Sequence, residues 1–136
     1  MNVYSDSSVL LRIVLGEPSS LSSWRKVTRA FTSELCRVEC HRTIDRLRLD
    51  GRLNDLDVAE RREAIEEQLR GHELIAVDRR ILRRASEPMP TRLGTLDAIH
   101  VASALALKTK VATLRLATHD EEMAVAARAL GFRLVT

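Results

Sequence analysis

Residues 96 to 107 read Leu-Asp-Ala-Ile-His-Val-Ala-Ser-Ala-Leu-Ala-Leu, and this run constrains the chain more than any other. At helical spacing it is apolar nearly all round, through Leu96, Ile99, Val101, Ala102, Ala104, Leu105, Ala106 and Leu107. Such a helix belongs inside a protein rather than on it. Its polar exceptions, Asp97, His100 and Ser103, are three apart and line one stripe. A carboxylate in the first turn gains roughly 0.3–1 kcal/mol from the helix dipole. Burying it unpaired costs on the order of several kcal/mol, so the dipole alone does not justify Asp97. It needs a cation.

The segments around this helix alternate between strand and helix patterns. Asn2 to Ser5 reads as a short strand, Val9 to Leu15 as a helix stopped near Gly16 and Pro18, and Ser19 to Lys26 as a second short helix. A brief strand is expected at Ala30 to Thr32. Ser33 is placed to cap a long helix reaching Leu49, which Asp50-Gly51 stops. Asp55 or Asp57 opens a helix through Leu69, with Gly71 at its end. Glu73 to Val77 reads as strand and Arg79 to Ala85 as helix, before a loop marked by Pro88 and Pro90. Thr95 is the expected cap of the buried helix. Val111 to Ala117, Glu121 to Leu130 and Phe132 to Val135 follow as strand, helix and strand, with Thr118 and Glu121 at capping-box spacing. Alternation of this kind implies one α/β domain over residues 1 to 136, its central parallel sheet flanked by helices on both faces.

Composition narrows the function. At 136 residues the chain can bury a core without disulfide or metal staples. One Trp, one Tyr and two Phe are too few for a base-stacking platform. A net charge of +3 is compatible with a phosphate-bearing partner without demanding one. Cys36 and Cys40 fall in one helix, where a disulfide is geometrically awkward, so reduced thiols are expected. No signal peptide or membrane span is visible, since the apolar run from Val9 is short and broken by Arg12. A cytoplasmic location is the expectation.

In open parallel sheets, function gathers where strands end and helices begin. Asp6 directly follows the first strand, as a helix cap or as a ligand. Glu39 sits mid-helix beside Cys36 and Cys40, facing the core, either as a site acid or as a partner of Arg37 or Arg42. Asp120 follows the strand ending at Ala117, with Glu121 beside it as an alternative cap. With Asp97 these make four acids, three at strand-to-helix transitions and one reaching in from a flanking helix. Such a cluster repels itself unless it holds a divalent ion, and oxygen-only ligands favour magnesium or manganese over zinc.

The words around these acids resemble the PIN-domain ribonucleases of the VapC toxin type. Val3-Tyr4-Ser5-Asp6-Ser7-Ser8-Val9-Leu10 resembles the family's opening strand and turn. Thr32-Ser33-Glu34-Leu35-Cys36-Arg37-Val38-Glu39 is similar to its second motif. Leu93-Gly94-Thr95-Leu96-Asp97-Ala98-Ile99-His100-Val101-Ala102-Ser103-Ala104-Leu105 is the most specific match. Ala117-Thr118-His119-Asp120, followed by 126 to 132, resembles the closing motif. Two positions depart from the pattern. Ser5 replaces an apolar residue, and His119 stands where an aromatic is common.

The resemblance implies a PIN fold and a magnesium-dependent endoribonuclease, with manganese able to substitute. Asp6, Glu39, Asp97 and Asp120 would line the metal pocket, Asp6 and Asp97 touching the ion and the other two acting partly through water. Ser8 and Thr118 are supporting candidates, to hydrogen-bond the acids or to cap helices. The products would be a 5′-phosphate and a 3′-hydroxyl. The resemblance also implies a toxin of a toxin–antitoxin pair that cuts a translation-related RNA, forms a homodimer and is neutralised by a small antitoxin.

Other candidates are weaker. His100 reads as a packed, hydrogen-bonded core histidine or as a group orienting Asp97. Cys36, Cys40 and His41 fit no common zinc spacing. Arg79, Arg80, Arg83 and Arg84 form a basic helix face, either solvated or guiding RNA. Trp24 reads as packing or as part of a partner groove. A dehalogenase-like phosphotransferase would want an acid where Ser8 stands, and a receiver domain would want paired early acids and a late-strand Lys. An inactive PIN scaffold that only binds RNA or protein is the remaining alternative, and the presence of all four acids argues against it.

Overall fold

The computed structural model of the protein describes residues 1–18 and 21–135. Five strands, β1 (Asn2–Ser5), β2 (Arg29–Ser33), β3 (Glu73–Ile75), β4 (Arg115–Ala117) and β5 (Arg133–Leu134), form one sheet in the order β3-β2-β1-β4-β5. Every pairing is parallel. Parallel neighbours need long crossovers, and the helices supply them. They are α1 (Ser7–Val14), α2 (Leu35–Leu49), α3 (Asp55–Arg70), α4 (Arg79–Ala85), α5 (Thr95–Lys108) and α6 (Glu121–Ala129).

Both faces of the sheet are covered, as expected. On one side Val3 and Ala117 pack with Val9 of α1, and a cluster of Leu10, Val14, Cys36, Cys40, Ile44, Ile65 and Leu69 joins α1, α2 and α3. On the other side Tyr4, Phe31 and Leu116 meet Val101, Ala104 and Leu107 of α5 and Met123 and Ala127 of α6. Adjacent residues such as Val3 and Tyr4 thus serve opposite faces, and both are fully buried. The strand order reverses direction between β1 and β4, which opens a crevice beyond their carboxyl ends.

Several local expectations are corrected. α1 starts at Ser7, two residues before Val9, because Asp6 caps it by accepting from the Val9 N–H. Only the 3-10 turn Ser22–Lys26 of the expected second helix is described, and positions 19 and 20 lie outside the described residues. Ser33 belongs to β2 and its Oγ accepts the Leu35 N–H at 3.1 Å, while Glu34 holds the cap position of α2. Asp55 does open α3, with Asn54 as its cap and Asp57 closing a capping box with it. Thr95 is the first residue of α5 and makes no cap, which falls to Gly94. Glu121 forms no box with Thr118, because Asp120 caps α6 through the Met123 N–H at 2.7 Å. β4 is shorter than 111–117, since the chain turns after α5 and Thr113 takes φ 57°. α5 is buried over most of its surface, but Leu96 is 46% exposed and Ala106 is exposed.

Cys36 and Cys40 are buried free thiols. No helix among the described residues is long and apolar enough to cross a membrane.

Candidate active site

Strand register builds the site. Ser5 pairs with Ala117, and the Asp6 N–H continues the ladder to the Ala117 carbonyl at 3.3 Å. Asp6 and Thr118 therefore leave neighbouring strands side by side. The Thr118 hydroxyl donates to Asp6 Oδ2 at 2.7 Å, and the Ser8 hydroxyl donates to Asp6 Oδ1 at 2.6 Å. Ser8 Oγ in turn accepts the His119 N–H at 2.9 Å, and Thr118 Oγ1 accepts the Asp120 N–H at 3.0 Å. Asp6 is 3% exposed. Burial pushes its carboxyl above the usual range, opposed by the Ser8 and Thr118 donors. Asp6 is thus cap and cluster acid at once, and Thr118 serves the acid rather than a capping box.

Glu39 reaches the same region from α2. Its Oε2 accepts the Ser7 hydroxyl at 3.1 Å and its Oε1 lies 2.5 Å from His100 Nε2. The arginines proposed as its partners are engaged elsewhere, Arg37 with Glu66 and Arg42 with Asp45. His100 is a hydrogen-bonded core histidine, but the acid it touches is Glu39, not Asp97.

Asp97 is half-buried in the first turn of α5, and its carboxylate takes no hydrogen bond from any described residue. Burial raises its carboxyl above the usual range first, then the charges of Asp120, Asp6 and Glu39, with His100 opposing. All four acids therefore share one electrostatic neighbourhood. Asp120 is exposed, and one of its oxygens caps α6.

No three His, Cys, Asp or Glu side chains among the described residues are already arranged as a ligand set. The donor set still fits a hard divalent cation. It is all oxygen, Asp97 has both oxygens open, and ionising Asp97 beside three other acids is costly without a counter-charge. At Cys36, Cys40 and His41, the His41 Nε2 lies 2.8 Å from Glu66 Oε1 and the two buried sulfurs are 3.8 Å apart.

The PIN domain family model matches residues 3–129. The chain belongs to the PIN domain family. It is 33% identical to "Ribonuclease VapC46" of Mycobacterium tuberculosis, over 98% of this chain and 95% of that one. The PIN fold is also seen in solved structures. VapBC2 of Rickettsia felis, bound to a DNA fragment from its promoter, matches with TM-score 0.67 at 13% identity, over 93% of each chain. VapBC-1 of nontypeable Haemophilus influenzae matches with TM-score 0.65 at 15% identity, over 98% of each chain. At these identities the likeness is one of fold.

Sequence reasoning missed three groups around this PIN site. Ser7 holds Glu39, Tyr4 holds His100, and His72 Nε2 meets the Ser5 hydroxyl at 3.2 Å. That last contact explains the first departure from the PIN pattern. His72 Nδ1 faces the Gln68 carbonyl at 2.7 Å, so Nε2 is free to accept from the buried Ser5. The hydroxyls flanking Asp6, Ser5 and Ser7, were the available signal, but sequence reasoning singled out Ser8 instead. The basic helix face is solvated as it stands. Arg79, Arg80 and Arg83 are exposed and unpaired among the described residues, while Arg84 meets Glu87 at 3.4 Å. Trp24 packs partly buried against the Val3 cluster and near the His72 ring, and it also lines an open groove with Gln68 and His72.

Proposed function

We propose that the protein is a divalent-cation-dependent endoribonuclease, the toxin of a toxin–antitoxin pair, acting on a translation-related RNA. One observation carries this reading. Asp6 and Asp120 stand at the turns after β1 and β4, Asp97 lies in the first turn of α5 and Glu39 reaches in from α2, and burial first, then the charges of the other three acids, raise the carboxyl of Asp97. The 33% identity to a ribonuclease over 98% of the chain supports the substrate class. The likeness of the fold to VapBC2 and VapBC-1 supports a small antitoxin partner, and a homodimer is part of the same proposal.

Asp6 and Asp97 would hold magnesium directly, with manganese able to replace it, and Glu39 and Asp120 would act partly through water. When bound, the cation neutralises the scissile phosphate and lowers the pKa of a water for in-line attack. The protein's own groups prepare the site. Ser8, in the first turn of α1, and Thr118, just after β4, fix the two oxygens of Asp6. Ser7 fixes one oxygen of Glu39. The N-termini of α1, α5 and α6 start at the acids, and their dipoles favour an anionic backbone arriving there.

The test is cleavage of structured RNA by purified protein with magnesium or manganese, with chelator, and with Asp97→Asn. The expected result is new 5′-phosphate ends at discrete sites that vanish with chelator and with Asp97→Asn. Cleavage that survives exhaustive chelation refutes the cation-dependent reading. The absence of any cleavage by metal-loaded wild type favours the inactive scaffold.

A further inference from the structure

Three of the acids sit on separate elements, Asp6 after β1, Glu39 on α2 and Asp97 on α5. A single buried chain of hydrogen bonds crosses all three elements. Tyr4, in β1, places its phenol oxygen 2.8 Å from His100 Nδ1, and His100 Nε2 lies 2.5 Å from Glu39 Oε1. Tyr4 and His100 are both fully buried, with their rings edge-on at 6.0 Å. A phenol has a hydrogen to give and Nδ1 can take it, while Nε2 faces a carboxylate oxygen that can only accept. The ring proton then sits on Nε2 and is donated to Glu39.

Glu39 is the one acid that enters from mid-helix, whereas Asp6 and Asp120 follow strands and Asp97, expected at a strand-to-helix transition, lies in the first turn of α5 after α4 and a loop. Glu39 has the longest side chain of the four and the most rotamer freedom to lose on ligation. With Oε1 on His100 and Oε2 on Ser7, that freedom is already removed before any ion arrives. His100 also stands one turn after Asp97 on α5, so the same bond ties the heights of α2 and α5 to each other. Donors behind a ligating carboxylate set its direction, and losing them weakens metal affinity about 10–100-fold.

We propose that Tyr4 and His100 are positioning residues that hold the Glu39 carboxylate in place for a divalent cation, an inference that rests on the cation-dependent reading above. Neither residue touches RNA or ion. Their effect passes through Glu39.

The experiment is Mn2+ titration of the whole protein, read by loss of the free-ion paramagnetic resonance signal. The variants are His100→Leu, His100→Gln, Tyr4→Phe and Asp97→Asn. His100→Leu should weaken Mn2+ binding about 10–100-fold. His100→Gln, whose amide restores a donor toward Oε1, should recover most of that loss. Tyr4→Phe keeps the ring shape and should weaken binding in the same direction, and it decides the matter if His100→Leu does not fold. Nitrogen NMR of the metal-free wild type should show an unprotonated Nδ1 and a protonated Nε2. Folded His100→Leu or Tyr4→Phe protein that binds Mn2+ as tightly as wild type overturns the proposal, as does the opposite tautomer. If wild type and Asp97→Asn bind Mn2+ equally weakly, the cation reading itself falls and takes this inference with it.

Discussion

Thr118→Val isolates one hydrogen bond at the centre of the site. Valine keeps the branched shape of threonine and removes only the hydroxyl. Two contacts go with it, the 2.7 Å donation to Asp6 Oδ2 and the 3.0 Å acceptance from the Asp120 N–H. The second is cheap, because Asp120 is exposed and water can replace the acceptor. The first is not, because Asp6 is 3% exposed. A hydrogen bond to a charged group is worth roughly 1.5–3 kcal/mol, so a loss of about 2 kcal/mol is expected at neutral pH. For 136 residues that lowers Tm by about 7 °C.

The loss carries a pH signature. Thr118 opposes the upward displacement of the Asp6 carboxyl, so removing it raises that carboxyl further. A raised carboxyl contributes stability that is present below its unfolded value near 3.8 and lost as pH rises through the folded value. The gap between variant and wild type should therefore be small at about pH 4 and full at about pH 7. Urea unfolding of chelator-treated protein, followed by circular dichroism across this range, measures it. A gap that is constant with pH refutes the claim that the hydroxyl bonds an ionised Asp6.

Asp97→Asn should abolish cleavage yet gain on wild type in metal-free stability as pH rises from about 4 to neutral, because it removes a carboxylate whose ionisation the fold resists; a thermal melt series checks this. Magnesium at about 100 times its Kd should stabilise wild type by about 2.7 kcal/mol and leave Asp97→Asn unmoved, by the same melts. Glu34→Gln should cleave like wild type, since Glu34 is exposed at the start of α2; if it is inactive, the second motif has been aligned on the wrong acid. Expressed alone in bacteria, wild type should arrest growth and Asp97→Asn should not, with rescue by a co-expressed antitoxin from a neighbouring gene. Equal arrest by both would assign the toxicity to something other than cleavage.

The sheet and its helices were legible because their signals are local. Apolar doublets such as Val3-Tyr4 mark a strand buried on both faces, and the run from Ala98 to Ala104 marks a helix with little polar surface. Cap identities were not legible in the same way. Ser33, Thr95 and Thr118 all have capping chemistry, but tertiary partners or neighbours took the role, and Glu34, Gly94 and Asp120 stand at the caps. For Thr118 the deciding partner is Asp6, 112 residues away. No window of sequence contains that contact. Glu39 shows the same limit, since its core-facing position could be read from spacing but its partner His100 lies 61 residues on. Strand order belongs to this class too, because β1 takes β4 as a neighbour only after α4 and α5 have crossed the sheet.

Asp6 and Asp120 are both helix caps, and capping does not use up the acceptor capacity of either carboxylate. An ionised carboxylate has roughly four acceptor positions. Asp6 gives three of them to Ser8, Val9 and Thr118, which leaves room only on Oδ2. Glu39 gives two, to Ser7 and His100, and Asp120 gives one, to Met123. Asp97 gives none to any described residue, and it is also the acid whose charge is resisted by all the others. The acid held most firmly is therefore the one with least capacity left, and the acid with most capacity is the one no neighbour holds. On the proposed reading, Asp6 would offer a cation a firmly held carboxylate and Asp97 one with both oxygens open. On the proposed cation-dependent reading, cap geometry after β1 would fix one wall of the site, and the unsatisfied carboxylate on α5 would give an ion a reason to enter it.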